Sequence, residues 1–432
     1  MSFATRLEEA LAGSPFAGAL PPPVASFAER RGGDPAASRL PDAVLRGLAR
    51  ALVTRPEVAG FVSHRPAWLE RVAEISPGAL ARRAEALAQD HALLELPLED
   101  ALDAMRLRRR EEMAYAACAV LGGIEPFEAV SDFLSRVAEG ILGDALALAL
   151  REMRRADAAG FAVLGMGKLA GRELSYHSDL DLIFLVRGDA EQIDGAARIG
   201  QRLISYLTTM TGAGVAYEVD TRLRPSGRQG MLVTTYDAFL RYQTQEARTW
   251  EHLALLRARD VAGDDQAGAL LARAHAHVLA RGEAPWAELA PLRQRVELER
   301  AASPGCVALK TGPGGLMDVD FLAGGGLLER GAKALPPLPA IPALLRAAAR
   351  GPRVDALLAD YRTLRIVEAR ARWLAGRGVD TLDAQAAGPV AELVEPGLDA
   401  AGLVARLDAA RGRIRAAFDA VVKAGTIEAL EP

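Results

Sequence analysis

Cysteine is nearly absent. Cys118 and Cys306 are the only two in 432 residues, which excludes a disulfide framework and makes a reducing compartment the expectation. Aromatic residues are scarce at 5%, so alanine and leucine must supply most of the core, and that favours helices. No excess of positive charge exists either. The net charge is -4, the pI is about 6.0, and no basic tail stands out, which weighs against a protein held mainly by nucleic-acid phosphates. No uncharged apolar run is long enough to span a bilayer. The opening "MSFATRLEEALAGSPFAGALPPP" lacks the apolar core of a signal peptide, so a cytoplasmic location is expected. No internal repeat is found. What the chain does have is a globular balance, half hydrophobic and a quarter charged.

Texture divides the chain in three. Up to about Arg155, segments such as "PDAVLRGLARALV" and "PFEAVSDFLSRVAEGILGDALALALREMRR" repeat apolar residues at three- and four-residue spacing. Short apolar strands then alternate with a helix: "GFAVLGMG", "DLDLIFLV", the helix "AARIGQRLISYLTTMTG" ending at a glycine, and "VAYEVDTRLRP" closed by Pro225. From "TYDAFLRYQTQEARTWEHLALLRAR" the helical pattern returns, interrupted by "LKTGPGGLMDVDF" and a proline-rich linker "ALPPLPAIP". The expectation is an α+β, mostly helical protein: a helical region over 1–155, a small mixed-sheet domain over 156–262 and a helical bundle over 263–432.

The second strand poses a physical question. Its apolar run opens with Asp179 and Asp181, two carboxylates on one face. In the third strand Asp220, Arg222 and Arg224 fall at alternate positions and are expected to share a face, leaving Val219, Thr221 and Leu223 on the other. Laid side by side, these strands would converge three carboxylates, a poor structural motif but a good site for Mg²⁺, which takes oxygen ligands and substrate phosphates. Other readings fail. Apolar Leu182 and Phe184 stand where an EF-hand needs oxygens, and Gly167-Lys168 is followed by Leu169 rather than the Ser or Thr of a P-loop. "GMGKLA" after a strand fits a dinucleotide fingerprint in its alanine form, but barely leaves room for a crossover helix before Asp179. His275 and His277 do not face each other on a helix and read as a solvated face. "MRLRRREE" reads as a charged helix surface rather than a phosphate site. Cys118 and Cys306 read as small buried or neutral positions.

The order of a Gly-Lys turn, Ser178-Asp-x-Asp and a third Asp on a later strand resembles the nucleotidyltransferase (polymerase β-like) superfamily. "GMGKLAGRELSYHSDLDLIFL", "VDTRLRPSGRQGMLV", "YQTQEARTWEHLALLRAR" and "KTGPGGLMDVDF" resemble, in the same order, the signatures of the adenylyltransferases that modify glutamine synthetase, and together they cover most of the chain. Ala170 departs from the family's usual glycine and His177 from a small polar residue. Late in the chain Asp318, Val319, Asp320 and Phe321 stand for its Asp-Ile-Glu-Phe, and Gly324 replaces a glutamine.

The resemblance implies a Mg²⁺-dependent transfer of AMP from ATP to a tyrosine of glutamine synthetase, on a single unit of what is typically a tandem enzyme. It implies Asp179, Asp181 and Asp220 as metal ligands and catalytic groups. Gly165, Gly167, Lys168, Ser178, Arg222 and Arg224 would serve the nucleotide, the two glycines through backbone N–H groups near phosphate. Partners implied are glutamine synthetase and a P-II-type nitrogen-signalling protein. An adenylyl-removing unit, a weakened regulatory module and an RNA-tailing enzyme are the alternatives. "RPSGRQGMLV" and "EARTWEH" look more like the transferring unit, "LGMGKL" like the removing one. "FLAGGGLL" is expected to weaken its helix.

Overall fold

Prolines open much of the helical framework. They occupy the first turn of helices Pro22–Arg31, Pro35–Arg39, Pro56–Val62, Pro66–Ala73 and Pro352–Ala375, where the missing N–H has no partner to lose and the fixed φ suits the helix. The computed structural model describes residues 1–155, 157–158, 160–331 and 335–431. Ala156, at the expected boundary, and Ala334, at the head of the proline-rich linker, lie outside these. Among the described residues no helix is long and apolar enough to cross a membrane.

At the centre lies a mixed sheet. Strand β1 (Phe161–Met166) is its middle, antiparallel to β2 (Leu180–Val186) on one side and to β5 (Ala258–Gly263) on the other. The far edge of β2 carries two short parallel strands, β3 (Val219–Asp220) at its start and β4 (Val233–Thr235) at its end. The antiparallel β1–β2 pair removes the dinucleotide reading, whose first two strands are parallel.

Both faces of the sheet are covered, which is why β2 reads as a continuous apolar run. Phe161, Val163, Leu180, Leu182, Phe184 and Val186 join a core built with the N-terminal helices. Ala162, Leu164, Met166, Ile183 and Leu185 join the core of the C-terminal helices. By alternation Asp181 belongs to the second face. Helix Pro352–Ala375 reaches both cores, giving Ala369 and Trp373 to the first and Leu357, Leu364 and Val367 to the second.

Four expectations change. The third strand is only two residues long, so alternation does not place Arg222 and Arg224. The helix after β2 runs Ala190–Thr208 and ends on a threonine, not a glycine. His275 is half-buried, its Nε2 bonded to the Leu255 carbonyl at 2.8 Å, and only His277 is exposed. "FLAGGG" sits in an unbroken helix, Leu316–Arg330: a side chain at Gly324 would meet Leu253, and one at Gly325 would meet Trp286, so packing overrides propensity. Cys118 is buried as expected and Cys306 half-buried.

A fifth correction concerns "MRLRRREE", which is not a charged surface. It lies in helix Leu98–Leu121, where Arg106 and Glu112 are buried. The Arg106 guanidinium donates to four carbonyls: Leu102 at 2.6 Å, Gly214 at 2.9 Å, Tyr206 at 3.0 Å and Thr209 at 2.7 Å. It thereby pins the chain leading into β3. Arg106→Met should leave these acceptors without donors and destabilise the protein by about 3 kcal/mol or more, at about 1 kcal/mol or more per buried orphan group. Urea unfolding measures it; a loss near zero would mean that the carbonyls find other donors.

Candidate active site

The β1–β2 connection begins at Gly167, whose φ of +56° is left-handed and accessible to glycine at no steric cost. An ideal Cβ there would lie 3.5 Å from Asp181 Oδ2, so the glycine also keeps the space over the acid open. Its N–H donates to the Arg257 carbonyl at 2.8 Å, and Gly165 lies inside the ladder opposite Leu182 and Arg259. The amide cradle expected of these two glycines is therefore corrected: the Gly167 amide serves the fold, and Gly165 belongs to a central strand.

Asp181 stands in register with Asp220 across the parallel β2–β3 pair. Asp179 is exposed just before the strand, and Asp181 is half-buried within it. Burial, then the neighbouring Asp179 and Asp220, push the Asp181 carboxyl up to about 6, against the opposing charges of Lys310 and Lys168. Asp179 and Asp220 border an open cleft of about 670 Å³ lined also by Glu218, Val219, Thr221, Arg222 and Arg224, and Asp181 lies beside Asp220 just outside this lining. Arg222 turns back onto Asp220, with Nε at 2.9 Å and 2.6 Å from its two oxygens. Arg224 braces the following turn through the Thr221 carbonyl at 2.6 Å and the Thr221 hydroxyl at 2.8 Å. Among the described residues no three acidic, histidine or cysteine groups close into a cation cage.

Cations come from behind the acids. Lys168 is bound to Glu368 at 2.6 Å, and burial lowers its amine to about 8 despite that carboxylate. Ser178 is buried. Its hydroxyl accepts the Ser175 N–H at 3.0 Å and lies 3.3 Å from Arg372, so its place is inside the loop that presents Asp179. Arg55 reaches His177 Nε2 at 3.1 Å, and burial, followed by Arg109 and Arg55, pushes that imidazole down to about 3.

Several groups that hold the site were not singled out from sequence. Glu173 accepts from Arg257 at 2.5 Å, the Tyr361 hydroxyl at 3.0 Å and the Ile341 N–H at 3.2 Å. Arg257 continues to Asp320 at 3.4 Å, so the shorter late acid still closes its bridge. Buried Asp318 pairs with buried Arg293 and accepts the Gly314 N–H at 2.8 Å. Gly314, at φ +68°, lies where a Cβ would stand 1.9 Å from the Arg411 carbonyl oxygen. That packed loop carries Lys310, whose charge is felt by Asp181, Lys168 and Asp320. One sequence signal pointed here: of 52 basic residues only Lys168, Lys310, Lys333 and Lys423 are lysines, and two of them serve this site.

A strand pair carrying matched carboxylates at a cleft, backed by lysines, is the arrangement that the resemblance to nucleotidyltransferases leads one to expect, and comparison with known proteins supplies the family. The pattern described as glutamate-ammonia ligase adenylyltransferase matches residues 45–274, more than half of the chain. A bifunctional glutamine synthetase adenylyltransferase/adenylyl-removing enzyme of Thioalkalivibrio sulfidiphilus is 35% identical over 312 residues, 64% of this chain and 32% of the relative. Its namesakes in Nitrosococcus oceani and Pseudomonas putida are 38% and 37% identical, each over 28% of its own length and over 56% and 53% of this chain. This chain belongs to the glutamate-ammonia ligase adenylyltransferase family. The matches span about a third of the length of these relatives.

The charge on Asp181 opposes folding. Its carboxyl titrates near 6 in the fold against an ordinary 3.8, so the native state binds more protons between about pH 4 and 6. Its destabilising contribution is full above pH 6 and fades as pH falls to 4. Asp181→Asn should therefore raise stability at pH 7.5 by about 1–3 kcal/mol and remove that share of the pH dependence. Denaturant titrations of both proteins from pH 4 to 8 would show it. An equally stable variant with an unchanged slope would contradict it.

Proposed function

We propose that this chain transfers AMP from ATP to a tyrosyl hydroxyl of glutamine synthetase and so regulates nitrogen assimilation. The observation that carries this reading is the pairing of Asp181 with Asp220 at the cleft, with Lys168 and Lys310 behind them. The donors there are carboxylate oxygens, and Asp181 is a carboxyl raised by burial and by the neighbouring Asp179, whose charged form a cation would favour; both fit Mg²⁺ held by Asp179, Asp181 and Asp220. Bound Mg²⁺ would supply charge stabilisation to the attacking and leaving oxygens. The tyrosyl oxygen bonds to the α-phosphorus as the bond to the β-phosphate oxygen breaks, and pyrophosphate leaves with that electron pair. Asp220 takes or relays the hydroxyl proton. Lys168, Arg222 and Arg224 offset the charge of the departing phosphates.

The flanking helical regions would dock the protein substrate and a P-II-type protein. Met231 and Trp250, in the two segments resembling the transferring unit, keep large apolar side chains in solvent, which suits a protein substrate. Removal of AMP by phosphorolysis would use the same acids in reverse, so the co-substrate decides direction. With α-labelled ATP, label should pass to unmodified glutamine synthetase, and Asp179→Asn or Asp181→Asn should cut transfer by about 100-fold or more. Phosphate-dependent release of ADP from adenylylated glutamine synthetase without transfer would reverse the assignment, and silence with both co-substrates would leave a regulatory module.

A further inference from the structure

The three acids are not equivalent. Among the described residues neither Asp179 nor Asp181 closes an ion pair. Asp220 has both oxygens engaged by Arg222. The Arg222 backbone N–H donates to Oδ1 at 2.8 Å, Nε spans both oxygens, and a terminal guanidinium N–H also reaches Oδ2. The backbone contact is an Asx turn, which Asp makes with its own chain two residues on. It ends β3 at Asp220 and brings the Arg222 side chain back over the carboxylate. The Asp-x-Arg spacing is therefore enough to build the contact.

Arg222 differs from Arg224 in what it holds. Arg224 donates to the Thr221 carbonyl and hydroxyl and is half-buried, as befits a brace of the turn. The Arg222 side chain is about half exposed at 55%, and its charge is turned to Asp220, with Asp181 and Asp179 beyond. A guanidinium binds phosphate with the same planar fork that it offers a carboxylate.

We propose that Arg222 is a latch on Asp220, an internal counter-cation that occupies this carboxylate until a nucleotide triphosphate draws the guanidinium away. This rests on the proposed nucleotidyl transfer and adds an order to it. A divalent cation arriving alone meets Asp179 and Asp181 with Asp220 held by Arg222, whereas one arriving with the triphosphate meets Asp220 relieved of that guanidinium. Nucleotide binding and completion of the acceptor side become one event, which disfavours occupation of the acceptor-side position before the nucleotide is in place.

The test uses Mn²⁺ as probe, followed by electron paramagnetic resonance on the full chain without nucleotide. Wild type should bind weakly, and Arg222→Ala about tenfold more tightly because a positive charge beside the ligands is gone. Arg222→Lys, which keeps the charge, should stay near wild type. Saturating α,β-methylene-ATP should raise the Mn²⁺ affinity of wild type and abolish the difference from Arg222→Ala. Arg222→Ala binding Mn²⁺ no better than wild type, while Asp181→Asn loses it, overturns the latch alone. Mn²⁺ binding indifferent to Asp181→Asn overturns the metal assignment beneath it.

Discussion

One partly buried ion pair joins the turn before the acids to a helix 200 positions further along the chain: Lys168 to Glu368. Glu368 is fully buried. Burial works against its charge, yet Lys168, Arg365 and Arg372 together hold its carboxyl below the ordinary value. A carboxylate so placed cannot lose its partners cheaply, because an unpaired buried charge costs several kcal/mol. The turn is thus fixed relative to helix Pro352–Ala375.

The same helix fastens the rest of the connection. One turn beyond Glu368, Arg372 reaches the Ser178 hydroxyl and bonds Asp380 at 2.7 Å. Beyond that, Trp373 packs on Tyr176 with ring centroids 5.0 Å apart, and its indole N–H donates to the Thr54 hydroxyl at 2.9 Å. Three positions before Glu368, Arg365 donates to the Glu173 carbonyl. Glu173, Lys168, Tyr176 and Ser178 are thus each held from one helix. That helix lies in both hydrophobic cores, so the placement of Asp179 and Asp181 depends on N-terminal and C-terminal regions at once.

How much of this was legible follows from what each residue does locally. The strands bearing Leu164 and Asp181 are apolar and bounded by turn residues, and the pairing of the second with β3 brought Asp181 against Asp220 as the spacing suggested. The length of β3 was not legible. Alternation continues on paper through Arg224, but the Asp220 side chain bonds the Arg222 N–H and ends the strand. Arg106, Glu173 and Glu368 escaped for another reason. A charged residue in a helical pattern looks the same whether it faces water or a buried partner, and only tertiary contacts supply those partners. The loop 312–315 was legible as a signature, but its task of holding Lys310 required Arg293 and Asp318 to be seen together.

Helix Pro352–Ala375 sets the charge of the turn through Glu368. The chain has only four lysines, so reductive ¹³C-dimethylation gives a spectrum simple enough to follow Lys168 by its loss in Lys168→Arg. In the wild type its resonance should titrate near 8, well below an ordinary lysine. In Glu368→Gln the midpoint should fall by about one unit or more, because the carboxylate that favours the charged amine is gone while the burial remains. A midpoint unmoved by Glu368→Gln, or one near 10.5 in the wild type, would contradict the account.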